Sequence, residues 1–174
     1  ADGEAGMLYP LHLLVLSWLT PELSLVVLRV LHSFLASVFT YLFIRVLGGR
    51  VASGVIGGLV YAYSGFAAGQ IIHTNVFQSM AWLPLQLALA ERGCQERGWT
   101  RYRYAALAGA VVGIQALVLH IHVTLMSAVG LALFLGYRAF TLSPNRGKGD
   151  GAKVPSSANV EVRAGSPPHP DPLP

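Results

Sequence analysis

Charge is what this chain has least of. Of its 174 residues, only 11% are Asp, Glu, Lys or Arg, against roughly 25% in a soluble domain. Val51 to Ala90 passes without one of them, and so does Tyr104 to Tyr137. A water-soluble fold cannot cover that much apolar surface with so few charges. Cysteine is almost missing too. Cys94 stands alone, which excludes an internal disulfide and a zinc ribbon. The 53% of apolar residues and the mean hydropathy of +0.54 exclude a chain disordered throughout. What remains is an integral membrane protein whose first partner is the lipid bilayer. Lys plus Arg total 12 and Asp plus Glu total 8, a net charge of +4. The basic residues sit between apolar runs, which is the bias of membrane loops rather than a nucleic-acid footprint. No nucleic acid is expected as a partner. Ala1 is not an initiating methionine and no signal peptide precedes the first span. The expectation is a piece of a longer chain, with the rest of that protein as a further partner.

The fold class expected is all-α: a polytopic transmembrane bundle of about five spans, a short interfacial helix and a disordered C-terminal tail. Residues 143–174 hold seven of the ten prolines, no aromatic residue and one leucine, Leu173. Such a stretch buries too little apolar area to offset its ordering entropy. Residues 1–142 form the membrane region. Leu23–Ile44 is the clearest span, opened by Thr20 as N-cap with Pro21 at the first helical position. Its length of about 33 Å matches a hydrocarbon core of roughly 30 Å. Val51–Gln70 follows. Val76–Ala90 is short and contains Pro84, which predicts a bent or broken helix. Glu91–Arg103 reads as a charged loop. The next apolar run is too long for one upright span, and His120-Ile121-His122 offers a break, giving Tyr104–Leu119 and Ile121–Tyr137. One long tilted helix is the alternative. Residues 8–19, with Tyr9 and Trp18, suit an interfacial or re-entrant helix.

Loop charges test that order. Arg45 and Arg50 fall in the first connection, and Arg92, Arg97, Arg101 and Arg103 in the third. Arg138, Arg146, Lys148 and Lys153 follow the last span. Residues 71–75 and 120–122 carry no Lys or Arg, and the segment before Leu23 holds Asp2, Glu4 and Glu22 with no base. The alternation places the N-terminus outside and the C-terminus in the cytoplasm.

Few residues within this frame can carry chemistry. Arg29 lies inside the first span, where a cation costs several kcal/mol on insertion scales, about 2.5–3.5 at mid-helix. His32 shares its helix face. Together they can form a cationic patch for the phosphate of an anionic substrate; alternatively Arg29 snorkels or satisfies bundle carbonyls. Asp2 and Glu4 can act as a general base or hold a divalent cation, or are simply solvated acids. His73, His120 and His122 form an outer-face polar cluster. They would need to converge, and no Cys or acid completes a ligand spacing, so no metal is expected. Gly54, Gly58, Gly65 and Gly69 are two small-xxx-small pairs, and Gly109 with Gly113 a third. Such pairs let helix backbones approach closely.

Several stretches resemble the bacterial YfhO-type membrane proteins. They are Asp2-Gly3 with Tyr9-Pro10, Leu31-His32, and Tyr41 through Arg45-Val46-Leu47-Gly48. The most specific are Gly58-Leu59-Val60-Tyr61-Ala62-Tyr63-Ser64-Gly65-Phe66, and His73-Thr74-Asn75 followed by Ala81-Trp82-Leu83-Pro84-Leu85. The resemblance covers about residues 2–142. That family is similar to fold-C glycosyltransferases, and what it implies is a polytopic enzyme of the bacterial cytoplasmic membrane. Such an enzyme moves a sugar from a polyprenyl-phosphate donor on the outer face. Asp2 or Glu4 would then be the catalytic base, and Arg29 with His32 would bind the lipid phosphate. Relatives have about a dozen spans, and near His120 they often show a Gly-His-Pro-Gln-like turn. Here Leu119-His120-Ile121-His122 stands instead. The chain end, Ser166 to Pro174, resembles translated intergenic repeats, so an interrupted, inactive fragment is one alternative. A transporter component, signalled by the Pro-interrupted third segment, is another.

Overall fold

The structure, a computed structural model, describes residues 8–70 and 73–142. The proline-rich tail, Asp2 and Glu4 lie outside the described residues. Every regular element among those described is helical: α1 (Pro10–Leu16), α2 (Pro21–Val46), α3 (Val51–Ala62), α4 (Gly65–Gly69), α5 (Thr74–Ala81), α6 (Leu83–Gln95), α7 (Trp99–Ala116) and α8 (Ile121–Leu142). Apart from Leu142, the last residue of α8, they fall in one compact unit that ends at Thr141.

Three helices are long and apolar enough to cross a membrane. They are Pro21–Val46, Val51–Gly69 taken through the break after α3, and Ile121–Leu142. Five such spans were expected. Here α5 and α6 have 8 and 13 residues, each too short alone. Helix α7 has 18 residues but includes Arg101, Arg103 and Gln115. The boundaries move for local reasons. Helix α6 continues past Ala90, so Glu91 is helical and buried rather than part of a loop. Helix α7 takes in Arg101 and Arg103, which the sequence reading assigned to that same loop. The long uncharged run does break, between Ala116 and Ile121.

Helix α2 is the central element, meeting α1, α3, α5 and α6. Pro21 occupies its first turn and Thr20 is extended before it, although the Thr20 hydroxyl makes no capping bond. Its far end is closed by a Schellman turn. Gly48 sits at φ +88°, where leucine or valine would be strained. The Gly49 N–H donates to Ile44 O at 2.9 Å and the Gly48 N–H to Arg45 O at 3.1 Å. These bonds satisfy two of the carbonyls that a helix end leaves open. The Arg45 guanidinium adds a bond to Gly49 O at 2.8 Å.

That turn sends α3 back along α2 at close range. A Cβ on Gly58 would lie 2.5 Å from the Ser37 carbonyl oxygen, and one on Gly54 2.6 Å from the Tyr41 ring. These two glycines are the packing device the spacing suggested. Gly65, Gly69, Gly109 and Gly113 have nothing within 4 Å of a built Cβ, so their spacing serves no close crossing. Where α2, α3 and α5 meet, Ala36, Ala62 and Ala81 form a buried small-residue cluster.

Charge divides the bundle by end. The Gln95 amide donates to Val46 O at 3.3 Å, joining the C-terminal ends of α2 and α6. Arg138 reaches Glu91, bringing the end of α8 to the same level. The helix ends and connections that hold Arg45, Arg50, Arg92, Arg97, Arg101 and Arg103 lie there as well. Among the described residues, Arg29 alone of the Lys and Arg residues lies away from this end.

Candidate functional site

Polar side chains run through the interior of the bundle at three levels. The first is built on α1. Tyr9 is fully buried, and its hydroxyl lies 2.7 Å from His32 Nε2. His32 is eleven residues into α2, about 16 Å from its start at helical rise. Helix α1 therefore runs beside the N-terminal half of α2. The Trp82 indole N–H donates to the Tyr9 oxygen at 3.0 Å. His32 Nδ1 lies 2.7 Å from Leu28 O. A carbonyl can only accept, so Nδ1 carries the ring proton and Nε2 accepts from Tyr9. The chain of bonds is thus directional: Trp82 to Tyr9 to His32 to the backbone. It needs a neutral imidazole, because an imidazolium would point a second donor at the Tyr9 oxygen and leave the Tyr9 hydrogen without an acceptor. The His12 ring stands edge-on to Tyr9 at 5.2 Å, with Nε2 buried and unpartnered.

The second level sits at the break between α5 and α6. Pro84 has no N–H, so the carbonyl of Met80, four residues earlier, loses its helical donor. The Tyr61 hydroxyl replaces it at 2.8 Å. The Ser79 carbonyl accepts from Gln115 Nε2 at 2.9 Å. That nitrogen also donates to Ser127 Oγ at 2.9 Å. Gln86 Nε2 donates to Gln115 Oε1 at 2.6 Å. The amide of Gln115 thus links α5, α6 and α8. In an apolar medium a broken helix survives only when its freed backbone groups are satisfied in this manner. Gln78 is fully buried beside this level, and neither of its amide atoms has a partner.

The third level is charged. Glu91 is 2% exposed, and its Oε1 accepts from Arg138 Nη2 at 2.5 Å and from Gln95 Nε2 at 2.8 Å. It is the one ion pair among the described residues. A buried carboxylate without such a partner would be strongly disfavoured.

The residues singled out from sequence fall unevenly on this frame. Arg29 is half-buried in α2 with its Nε buried and unpartnered. His32 is close in sequence, yet both its nitrogens are engaged by Tyr9 and Leu28. It has none left for a phosphate beside Arg29. His73 is exposed at the start of α5. His120 and His122 lie near each other, ring centroids 6.0 Å apart, and His120 Nδ1 accepts the Val123 N–H at 3.4 Å. Among the described residues no three His, Cys, Asp or Glu side chains converge as a metal site. The three histidines therefore form no ligand set. Gln86, Gln115, Ser127 and Glu91 escaped the sequence reading. Their signal was available: glutamine inside an uncharged apolar run is costly in lipid and marks an interior position.

Comparison with family models, with curated proteins and with solved structures finds no match. The resemblance to YfhO-type proteins therefore rests on the sequence stretches alone. What the structure defines is a class: an all-helical protein with three helices suited to a membrane and a polar interior.

Proposed function

We propose that this chain is the multi-pass membrane region of a glycosyltransferase-like protein in the bacterial cytoplasmic membrane. Its donor is a sugar carried on a polyprenyl phosphate and reached from the outer face. The observation that carries this reading is Arg29. It is the one described cation away from the basic end of the bundle, and its buried Nε has no protein partner. A guanidinium held in low dielectric binds a phosphate by charge-assisted, often paired, hydrogen bonds. The basic end faces the cytoplasm and α1 enters from outside. The broken helix α5–α6 and helix α7 complete five crossings. Asp2 or Glu4 would supply the base, and the same acids would be the ligands of a divalent cation.

The test is binding of polyprenyl phosphate to the purified chain in detergent or nanodiscs. Losing hydrogen bonds to a charged group, about 1.5–3 kcal/mol, predicts that Arg29→Ala weakens binding by about tenfold to a hundredfold. Equal affinity for the two proteins would remove the phosphate site. Asp2→Asn and Glu4→Gln address the chemistry separately, through sugar transfer in membranes.

The transporter reading draws on the same broken helix, and the geometry weakens it. Unwound carbonyls that serve an ion or substrate must be free. Here the Met80 and Ser79 carbonyls are taken by Tyr61 and Gln115.

A further inference from the structure

We propose that α8 is a lateral gate, hinged at residues 117–120 and latched to the bundle by the Glu91–Arg138 pair. The inference is independent of sugar transfer and rests on how α8 is held. Of its 22 residues, only Ser127 is buried. Among the described residues, Ser127 to Gln115, Phe134 edge-on to Phe43 at 6.0 Å, and Arg138 to Glu91 tie it to the other helices. Positions 127, 134 and 138 are seven and four residues apart, so they share one narrow stripe of the helix.

On both sides of that seam the helix spans open space. Toward its start, a cleft of about 350 Å³ lies between Val123, Met126 and Ser127 of α8 and Tyr61, Met80 and Leu83. Toward its end, a second cleft of about 280 Å³ separates Leu131 and Leu135 from Cys94, Ala108 and Gly109. A helix packed for permanence fills such space with interlocking side chains. Gly130 and Gly136 approach nothing within 4 Å. The connection from α7 holds the local strain expected of a hinge: Leu119 sits at φ +61°, a conformation that leucine disfavours. Swinging α8 outward breaks this seam. It uncovers the Gln86–Gln115 pair and the wall of both clefts to the membrane. The ion pair at the end far from the hinge has the longest lever and is the natural latch.

Cys94, the single cysteine, lines the cleft beneath α8 and reports directly on the gate. The full chain is placed in lipid vesicles and the rate of maleimide labelling of Cys94 is measured. Leaving Glu91 buried without its charge partner in Arg138→Gln is expected to raise the rate by about a hundredfold or more through the opening equilibrium. Removing a cation would by itself slow a thiol by disfavouring its thiolate, so acceleration reports exposure of the thiol rather than the lost charge. The paired swap Glu91→Arg with Arg138→Glu rebuilds the latch and restores the slow rate. In parallel, Leu135→Cys is joined to Cys94 with a short bifunctional thiol reagent, which should succeed in the native background, fail with Arg138→Gln and recover with the swap. An unchanged rate in Arg138→Gln overturns the proposal. So does a swap that labels as fast as the single variant, because the loss would then be general unfolding rather than release of a latch.

Discussion

Helices α3 and α8 are both apolar, both exposed along most of their length and both laid against the same core, yet they are held by opposite means. Helix α3 is held by shape. Gly54 and Gly58 let its backbone rest on Tyr41 and on the Ser37 carbonyl of α2, too close for any side chain between them. Among the described residues no side-chain hydrogen bond joins α3 to α2. Helix α8 is held by polar points, an amide to a hydroxyl and an ion pair, with clefts between. In lipid there is no hydrophobic drive to bring apolar helices together, so close packing and polar bonds are the two means left. Packing spreads its stabilisation over many small contacts. Polar points concentrate it, and a helix held that way can be released by removing one group.

That contrast can be broken most severely at Arg138. Arg138→Gln leaves Glu91 buried without its charge partner, which in protein interiors costs about 3–5 kcal/mol. Unfolding in mixed detergent, followed by circular dichroism, should show a loss of that size. A loss below about 1 kcal/mol, the usual worth of a surface pair, would mean that Glu91 is solvated and that α8 is not held by charge. The next largest effect belongs to α3. Gly58→Val drives a branched side chain into the Ser37 backbone and should cost about 1–3 kcal/mol through overpacking. Gly136→Ala, with open space around it, should stay within about 0.5 kcal/mol of the parent. If both glycine substitutions behave alike in the same unfolding assay, close approach is not what holds α3.

The two helices were also unequally legible in the sequence. Composition alone gives α2, α3 and α8 as membrane helices, and the Arg45-Val46-Leu47-Gly48 turn and the Pro84 break are local signals with local causes. The small-residue spacing was readable, but its use was not. Gly54–Gly58 and Gly109–Gly113 have the same pattern, and only the first meets a partner, because spacing describes one helix face and says nothing of what lies opposite. The polar interior is less legible still. Tyr9 finds its partners 23 and 73 residues away, and Gln86 finds Gln115 across 29. Glu91 was misread because Arg92, Glu96 and Arg97 follow it, and a charged cluster suggests a loop. One helical face of that cluster turns inward.

Helix α1 is attached to α2 by both devices, ring packing and polar bonds, and its expected effect is of similar size to that at Gly58. Tyr9→Phe keeps the ring and removes the hydroxyl. Trp82 loses its acceptor and His32 its donor, both in a buried setting. Unsatisfied groups of this kind cost about 1–3 kcal/mol. Since the Tyr9 hydroxyl joins three elements, the same change should loosen α1 from α2, seen as faster proteolysis within residues 10–19. An unaltered digestion pattern would show that ring packing alone seats α1.

Of the substitutions that remove a bond, Ser127→Ala should have the smallest effect. It removes the other polar tie of α8 but leaves Gln115 its bonds to Ser79 and Gln86. One N–H of the Gln115 amide loses its acceptor while the other bonds of that amide remain, and interhelical hydrogen bonds in membranes average about 0.6 kcal/mol. A change of that order in the unfolding assay, set against the loss at Arg138, would locate the hold on α8 at its charged end. A loss at Ser127 as large as that at Arg138 would move the hold to the middle of the helix. The stretch beyond residue 127 would then be free to move whether or not the ion pair is closed.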